Sequence, residues 1–403
     1  MSAWWDAQWL NALIGTLQAG QRWLLQALDA LGLADTRHGQ PAWPWPVRLS
    51  GENLLIDLGQ ARRLGWTVAA LVLVAVLLLL ALAWRRRRWW LLAAVPVLLA
   101  LAPWPDAHVA WVAATPASFH RSTSGFTVQS IARGRALYAQ HCVGCHAADG
   151  RGQGPLAASQ PVWPPNLTGP LLWRRADGDL LWHVLHGMRG RDGAPSMPAF
   201  GDRLDDGDAW ALIDFMKAQA AGQTLRATGV WALPAALPDA TVRCDDGPAR
   251  TLANWRGQRI RIVARGDATA ASAPLLEDPR LVTVRLQPAP DAGGTRQTGC
   301  VLAGADAWSA FSLIAGVPTL EGTEFIADRD GWLRALGRPG QVGWSDDDLL
   351  CRTDTAPRAA VAPVAPVAGQ AVPPAAPPAD GLDALIRRMD AEPVRFVKGG
   401  FVH

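Results

Sequence analysis

The sequence has little charge and almost no lysine. Only 18% of its 403 residues are charged, and Lys217 and Lys398 are the two lysines among 38 basic residues. The net charge of +3 is too small to indicate a nucleic-acid-binding protein. Hydrophobic residues make up 50% of the chain, which indicates that part of it is buried in a membrane. The excess of arginine fits the codon bias of a GC-rich genome and is not evidence of function.

Cysteine is also scarce, with five residues in the chain. A structural zinc site would need a second ligand pair spaced like Cys142 and Cys145, and the sequence contains none. A thioredoxin-type pair would follow a strand in a βαβ pattern and would lack the adjoining histidine. The other cysteines are Cys244, Cys300 and Cys351. They allow at most one intramolecular disulfide, and the sequence does not identify the pair.

The segment Cys142-Val143-Gly144-Cys145-His146 has the spacing of a c-type haem attachment site. The two thiols form thioether bonds with the haem vinyl groups, and the two residues between them set the distance between those bonds. His146 follows directly, so its imidazole is placed to bind the iron as the proximal ligand. The motif therefore predicts one covalent haem c, bound through Cys142 and Cys145, with His146 on the iron.

An uncharged apolar run at 66–84 predicts a transmembrane helix. As a helix its nineteen residues span roughly 28 Å, which is close to the hydrocarbon thickness of a bilayer. The four arginines at 85–88 predict a cytoplasmic loop, and a shorter run at 89–104, interrupted by Pro96, predicts a second span. Because haem c is attached outside the cytoplasm, we expect a hairpin in a bacterial inner membrane, with both flanking segments on the periplasmic side.

The first 64 residues predict an amphipathic region. They do not resemble a cleaved signal peptide, because the start is not basic and the apolar residues are not contiguous. Apolar residues recur at helical spacing from Leu10 to Leu31. Such a helix lies on the membrane, on a partner, or on the chain's own domains, and the sequence leaves these alternatives open.

Residues 128–222 resemble a class I monohaem cytochrome c along their whole length. A helix with Gly134 precedes the haem motif, where this family uses a small residue to let its first and last helices cross closely. The run from Gly150 to Gly154 has no preceding strand, so we interpret it as a loop around the haem and not as a dinucleotide site. The resemblance implies that the carbonyl of Pro155 accepts the Nδ1 proton of His146.

The segment Ser196-Met197-Pro198-Ala199-Phe200 resembles the Met-Pro-aromatic loop of this family, which implies Met197 as the sixth iron ligand. The other downstream candidates are Met188, Met216, His183 and His186. Met216 is expected in the core of the closing helix, and the histidine pair fits a surface face equally well. His/Met ligation implies outer-sphere electron transfer instead of oxygen or peroxide chemistry. Arg189 and Arg191 either line a docking patch at the haem edge or are simply solvated.

Residues 231–354 resemble a thioredoxin-like domain. Strands are predicted within 239–247, 255–264 and 281–286, and a hairpin with an Asp-Gly turn is predicted at 325–334. The family keeps its cysteine pair after the second of these strands, where this chain has no cysteine. We therefore expect no thiol redox activity and a docking or structural role. The order of the two domains resembles the C-terminal half of fusions between copper-resistance protein D and cytochrome c.

The sequence thus predicts a multidomain membrane protein with a transmembrane helical hairpin, an all-α cytochrome c domain and an α/β thioredoxin-like domain. The predicted segments are an amphipathic region at 1–64, the hairpin at 65–113, a linker at 114–127, the cytochrome at 128–222, a linker at 220–228, the thioredoxin-like domain at 231–354, an Ala/Pro linker at 355–380 and a tail at 381–403. The tail is predicted to begin with a short helix at 381–390, and the end from Glu392 onward is either a partner-docking peptide or unstructured.

These features predict a membrane-anchored periplasmic cytochrome that carries single electrons through one haem. We expect it to act as a subunit of a hetero-oligomeric respiratory or redox complex, in contact with lipid and redox proteins, without catalytic residues or an enzymatic activity of its own. The alternative is a copper-handling or metalloenzyme-assembly protein with an attached cytochrome, although the sequence contains no Met-rich or His-rich copper motif.

Overall fold

The computed structural model describes residues 2–56, 58–169, 172, 175–190, 192–231, 235–245, 247–266, 277–289, 299–341, 343–350, 381–394, 396–397 and 400–401. The chain forms two compact units. The first comprises Met1–Ser122, Trp173–His186 and Arg395–Val402, and the second comprises Thr123–Leu172 and Gly187–Val394.

The helices are α1 Ser2–Ala30, α2 Gly51–Ile56, α3 Leu58–Ala83, α4 Arg88–Leu101, α5 Ala107–Ala110, α6 Val128–His141, α7 Val143–His146, α8 Asp177–His186, α9 Asp206–Thr228, α10 Ala305–Ala315 and α11 Gly381–Ala391. The strands are β1 Thr36–Arg37, β2 Gln40–Pro41, β3 Val47–Leu49, β4 Trp111–Ala113, β5 Met188–Arg189, β6 Pro195–Met197, β7 Ala235–Ala236, β8 Thr241–Cys244, β9 Arg250–Thr251, β10 Arg259–Ala264, β11 Leu281–Gln287, β12 Cys300–Ala303, β13 Glu324–Ala327, β14 Trp332–Gly337, β15 Phe396–Val397 and β16 Gly400–Phe401.

Helix α1 packs on other helices of its own unit. Leu10 and Ile14 are buried in a cluster with Leu54 of α2 and with Ala61 and Leu64 of α3. Because apolar residues three and four apart share one face of a helix, the apolar stripe of α1 is used in this contact. Of the three alternatives that the sequence leaves open, the structure supports packing on the chain's own domains.

Helix α3 is the one helix among the described residues that is long and apolar enough to cross a membrane, over Gly59–Ala83. Many of its apolar side chains point outward, and Leu82 is 82% exposed. Helix α4 packs against α3, contains Pro96 and is fourteen residues long. The first predicted span is therefore compatible with the structure, whereas the second, which is short for a bilayer, stays a prediction.

A buried ion-pair network joins strand β3 to helix α8. The Arg48 guanidinium lies 2.9 Å from a carboxylate oxygen of Glu52 and 2.9 Å from one of Asp179. Asp179 also accepts hydrogen bonds from Ser118 at 2.5 Å and from Thr115 at 3.0 Å. All three charged side chains are buried, so each depends on the others for charge compensation.

Helices α6 and α9 cross with their backbones in contact. The side chain of Asp205 caps α9 by accepting a hydrogen bond from the N–H of Asp208 at 2.7 Å. At the crossing, a Cβ on Gly134 would collide with the carbonyl oxygen of Ala211. The expectation that a small residue allows this close approach is therefore confirmed.

Helix α9 is longer than the sequence predicts. The predicted linker at 220–228 is wrong, because α9 continues to Thr228 and ends at Gly229, which has φ +77°. Gly222 lies so close to Leu313 of α10 that a Cβ on the glycine would collide with the leucine carbonyl oxygen. The small residues that suggest a linker instead allow two helices to pack closely.

One hydrophobic core extends from the cytochrome helices into the sheet of the second unit. It includes Val128, Ile131, Ala221, Leu225, Trp231, Phe311, Phe325 and Leu333. The helices α6 and α9 therefore bury apolar surface against α10 and the sheet. Burial of this kind is the main favourable contribution to folding, so these elements stabilise one another.

The main sheet has the strand order β7-β14-β13-β10-β11-β12-β8-β9. Strand β10 pairs in parallel with β11, and the antiparallel hairpin β13–β14 lies on its other side. This is the arrangement expected of a thioredoxin-like domain, and the predicted strand at 281–286 and hairpin at 325–334 are confirmed. The segment 267–276, which follows β10, lies outside the described residues.

Cys244 and Cys300 form a disulfide between β8 and β12, where they are direct cross-strand partners. The structure thus identifies a pair that the sequence leaves open. Cys351 lies outside the described residues.

Helix α11 packs on the sheet of the second unit. Leu385 and Met389 are buried in a cluster with Ile326. Arg334, which is 1% exposed, donates a hydrogen bond to the carbonyl oxygen of Glu392 at 2.6 Å. The predicted short helix at 381–390 is therefore confirmed, whereas the predicted linker at 355–380 lies outside the described residues.

Replacement of Asp179 by alanine should lower the free energy of unfolding by about 3–5 kcal/mol, because the buried Arg48 would keep only one of its two carboxylates. Denaturant titration of the full-length protein in detergent measures this. The control is Asp192→Ala, which removes an exposed carboxylate and should change stability by less than about 0.5 kcal/mol. Equal effects of the two variants would contradict a stabilising network.

Replacement of Gly134 by alanine should destabilise the second unit by about 1–3 kcal/mol, because the new Cβ must push apart two backbones. The matched control is Gly20→Ala in α1, where nothing lies within 4 Å of the new Cβ. That control should be neutral or stabilising by up to about 1 kcal/mol. Thermal unfolding of both variants and of the unchanged protein measures these differences in stability. A Gly134→Ala variant that is as stable as the Gly20→Ala control would contradict the close crossing.

Candidate haem site

The haem motif lies at the junction of helices α6 and α7. The N–H of Cys142 donates to the carbonyl oxygen of Tyr138 at 2.9 Å, and its carbonyl accepts from the N–H of His146 at 2.8 Å. Cys142, Cys145 and His146 therefore occupy positions i, i+3 and i+4 of one helical turn, which share a face. Two thiols and an imidazole on one face suit the attachment of a single haem.

The glycine-rich loop caps the carbonyl end of helix α7. The N–H of Gly152 donates to the carbonyl oxygen of His146 at 3.0 Å, and the N–H of Gly154 donates to that of Cys145 at 3.0 Å. Gly152 has φ +75°, and a Cβ on it would collide with the carbonyl oxygen of Pro164. The loop thus satisfies the carbonyl groups that a helix end leaves without intrahelical partners.

The two cysteines of the motif are half-buried and form no disulfide. Desolvation raises the pKa of the Cys142 thiol to about 12, and the neighbouring Cys145 adds to the shift. A thiol that stays protonated at neutral pH is a weak nucleophile, so this environment does not favour Cys142 as the attacking thiol of a redox pair. The chemistry of the donors therefore fits haem attachment better than a dithiol redox site.

The imidazole of His146 lies in a desolvated environment. Desolvation lowers its pKa, and the backbone of Pro165 opposes that shift. Nδ1 is buried and makes no close hydrogen bond within the described residues. A neutral imidazole is the form that binds iron, so this environment fits an axial ligand. The role of Pro155 stays a prediction, since the backbone group that acts on the ring belongs to Pro165.

Met197 lies in the two-stranded ribbon formed by β5 and β6, directly opposite Met188. Cross-strand partners project their side chains to the same side of a ribbon. Both methionines are half-buried, so Met188 is the direct competitor of Met197 for the iron. The assignment of Met197 as the sixth ligand stays a prediction.

Gly187 packs against the loop that carries Met197. This contact of Gly187 is not among the features predicted from the sequence. It has φ +72°, and a Cβ on it would lie 2.6 Å from the carbonyl oxygen of Met197 and 2.8 Å from the nitrogen of Ala199. The available signal was a glycine directly after a helix, where left-handed backbone is common. At the end of the same loop, Phe200 is buried, with its ring 5.9 Å from that of His141.

The other candidate iron ligands have different surroundings. Met216 is buried in α9, as expected for a core residue. His183 is half-buried, and desolvation, with a contribution from Arg175, lowers its pKa. His186 is exposed, and its Nε2 atom lies 3.2 Å from Nε2 of His38.

Of the two arginines predicted just before the Met197 loop, the structure describes Arg189. Trp163, beside Val162 in an irregular loop, is 58% exposed. Arg189 is exposed and donates to the carbonyl oxygen of Gly193 at 3.0 Å, whereas Arg191 lies outside the described residues.

Comparison with known proteins supports this description. Residues 129–216 match the family model of subunit III of cbb3-type cytochrome c oxidase. No curated protein matches the chain.

Several solved structures share partial similarity with the chain. One is a Bacteroides thetaiotaomicron protein described as a disulfide isomerase, with 17% identity over 26% of this chain and 76% of that one and a TM-score of 0.20. Another is the reducing HAO-like protein complex of Kuenenia stuttgartiensis, with 22% identity, 30% and 57% coverage and a TM-score of 0.21. A third is the exposed lipoprotein thioredoxin of Streptococcus pneumoniae, with 16% identity, 26% and 90% coverage and a TM-score of 0.18.

The haem motif and its capping loop both lie within the residues that match the family model. The chain therefore contains a c-type cytochrome domain at 129–216 that matches the model of cbb3 oxidase subunit III, followed by a domain with the strand arrangement of a thioredoxin-like fold.

Proposed function

We propose that this protein is a membrane-anchored cytochrome that carries single electrons through one haem c with His146 and Met197 as axial ligands. The observation that carries the proposal is the helical turn with both thiols and the imidazole on one face, where the donor set fits haem. A bound haem would supply an iron that changes oxidation state by one electron. Two protein ligands would leave no open position for oxygen or peroxide, which favours electron transfer.

The arrangement around Met197 supports its role in this proposal. The chain offers two thioethers on one side of the β5–β6 ribbon, and Met197 is the one followed by proline. Proline restricts the backbone of the loop, and Gly187 packs against it from the other side. These contacts limit the movement of the thioether. A ligand whose bond to iron is weak requires such a restriction.

The proposed location is a bacterial inner membrane, with the cytochrome and thioredoxin-like domains on the periplasmic side. Helix α3 would be the anchor, and the arginines at 85–88 would stay in the cytoplasm. The disulfide between Cys244 and Cys300 supports this orientation, because such bonds persist in oxidising compartments.

We further propose that the protein acts within a larger redox complex. The matched family is a subunit of an oxidase, and helix α1 leaves large apolar side chains exposed, among them Trp9 at 54% and Trp23 at 70%. Exposed apolar residues of this size favour contact with a protein partner or with lipid.

Replacement of Met197 by alanine should lower the reduction potential of the haem by on the order of 100 mV, because the axial ligand is a main determinant of potential. Potentiometric titration of the purified full-length protein, followed by visible spectroscopy, measures this. The controls are Met188→Leu, which tests the competing thioether, and Met216→Leu in the core. An unchanged potential in the Met197 variant together with a large shift in the Met188 variant would reassign the ligand. A reduced wild-type protein without the paired visible bands of low-spin haem c would refute the proposed function itself.

Replacement of Gly187 by alanine should weaken the axial bond of Met197 while haem stays covalently attached. The new Cβ would displace the backbone of the Met197 loop and would also have to adopt φ +72°, which is strained for alanine. The expected result is a partial fall in potential and partial conversion to high-spin haem. The control is Gly193→Ala at φ +79°, where nothing lies within 4 Å, so backbone strain alone is tested. Identical spectra for both variants would show that the contact of Gly187 is unimportant.

A further inference from the structure

Two histidines that are 148 residues apart in the sequence meet in the first unit. His38 lies in the turn between β1 and β2, and His186 is the last residue of α8. Their Nε2 atoms are 3.2 Å apart. His186 is exposed and His38 is half-buried, so the pair is accessible from solvent.

The distance between the two Nε2 atoms indicates how they could be arranged around one metal ion. With metal–nitrogen bonds of about 2.05 Å, ligands at 90° are roughly 2.9 Å apart, tetrahedral ligands roughly 3.3 Å and trans ligands roughly 4.1 Å. The observed 3.2 Å excludes the trans arrangement, and with it a second haem held by this pair. It fits two neighbouring ligands of a four-coordinate ion. It also fits a direct N–H···N hydrogen bond, which is the competing explanation.

The surrounding contacts hold both rings in place. The indole of Trp182 stacks on His186, with ring centroids 3.8 Å apart and an interplanar angle of 33°. The same indole meets the ring of His38 edge-on at 6.1 Å. His38 has φ +49°, a conformation that the short turn imposes and that side chains adopt rarely. A site with its ligands already positioned avoids part of the entropic cost of binding.

Polar contacts attach the two elements to one backbone segment. The Gln40 side chain, in the β1–β2 hairpin, donates to the carbonyl oxygen of Arg121 at 2.8 Å and accepts from its N–H at 2.9 Å. Asp179 of α8 accepts from Ser118 of the same segment. The hairpin and helix α8 are therefore both bonded to residues 118–121, which keeps His38 close to His186.

We propose that His38 and His186 form a binding site for a divalent transition metal, with Zn²⁺ or Cu²⁺ as the fitting ions, independent of the haem. Imidazole nitrogen is a preferred ligand of both ions. Binding requires each imidazole to carry its proton on Nδ1, so that both Nε2 lone pairs face the metal. The two imidazoles are the protein ligands of the proposed site, and water or a ligand from another molecule would take the other positions; no group of three or more metal-binding side chains occurs among the described residues.

A two-nitrogen site with open positions suits exchange or transfer of a metal better than permanent storage. Structural zinc sites use four protein ligands, whereas sites that act on an incoming group keep a position open. The pair would therefore give the chain a metal function beyond electron transfer.

Zinc titration of the full-length protein tests the proposal. The protein is purified in detergent without a histidine tag, treated with EDTA and dialysed against Zn²⁺, and zinc is then measured per haem iron. The variants are His38→Asn, because asparagine tolerates positive φ, and His186→Gln. The control is His108→Asn, which replaces an exposed histidine of α5 in the same unit.

We expect one Zn²⁺ per chain to be lost in the double variant, at least about tenfold weaker binding in each single variant, and unchanged binding in the control. Zinc-edge X-ray absorption should detect two imidazoles on the bound ion, and a parallel Cu²⁺ titration compares the ions. An unchanged haem spectrum verifies that each variant is folded. If His186→Gln changes the spectrum, the zinc content of His38→Asn is the test of the proposal. Equal zinc contents in wild type and His38→Asn, or equal losses in His38→Asn and His108→Asn, would overturn the proposal and leave a hydrogen-bonded histidine pair.

Discussion

The organisation of the second unit depends on two backbone contacts of helix α9. It meets α6 at Gly134 and Ala211, and farther along it meets α10 at Gly222 and Leu313. Contacts between main chains leave no side chain that can adjust, so the relative position of the three helices is closely defined. Because α6 ends at the haem motif, the same contacts determine where the cofactor would be attached. Helix α9 therefore connects α10, and the sheet on which α10 packs, to α6 and the haem motif.

The haem motif is held on both sides by hydrogen bonds of the main chain. Upstream, Cys142 is bonded into the last turn of α6, and downstream the glycine loop donates to the carbonyl groups of α7. Between them, the hydroxyl of Tyr138 donates to the carbonyl oxygen of Ala147 at 2.9 Å, and Ala147 has φ +61°. An electron carrier works best when the surroundings of its iron change little between the two oxidation states. Support of this kind serves that requirement because it does not depend on the charge of the iron.

Local chemistry was predictable from the sequence wherever it was encoded in neighbouring residues. The haem motif, the small residue at Gly134 and the hairpin at 325–334 all follow from short-range patterns. The continuation of α9 was not predictable, because alanine and glycine indicate a linker as readily as a close helix contact. The pairing of Cys244 with Cys300 needed the register of two strands, and the meeting of His38 with His186 needed the tertiary fold.

The core shared by α6, α9 and the sheet makes the thioredoxin-like domain thermodynamically dependent on the cytochrome. A ligand that binds only the folded form stabilises every element that must be folded for binding. Covalent attachment of haem would therefore stabilise the sheet as well as the helices that contact the cofactor. Before attachment, α6, α9 and the sheet would keep their shared core without that contribution.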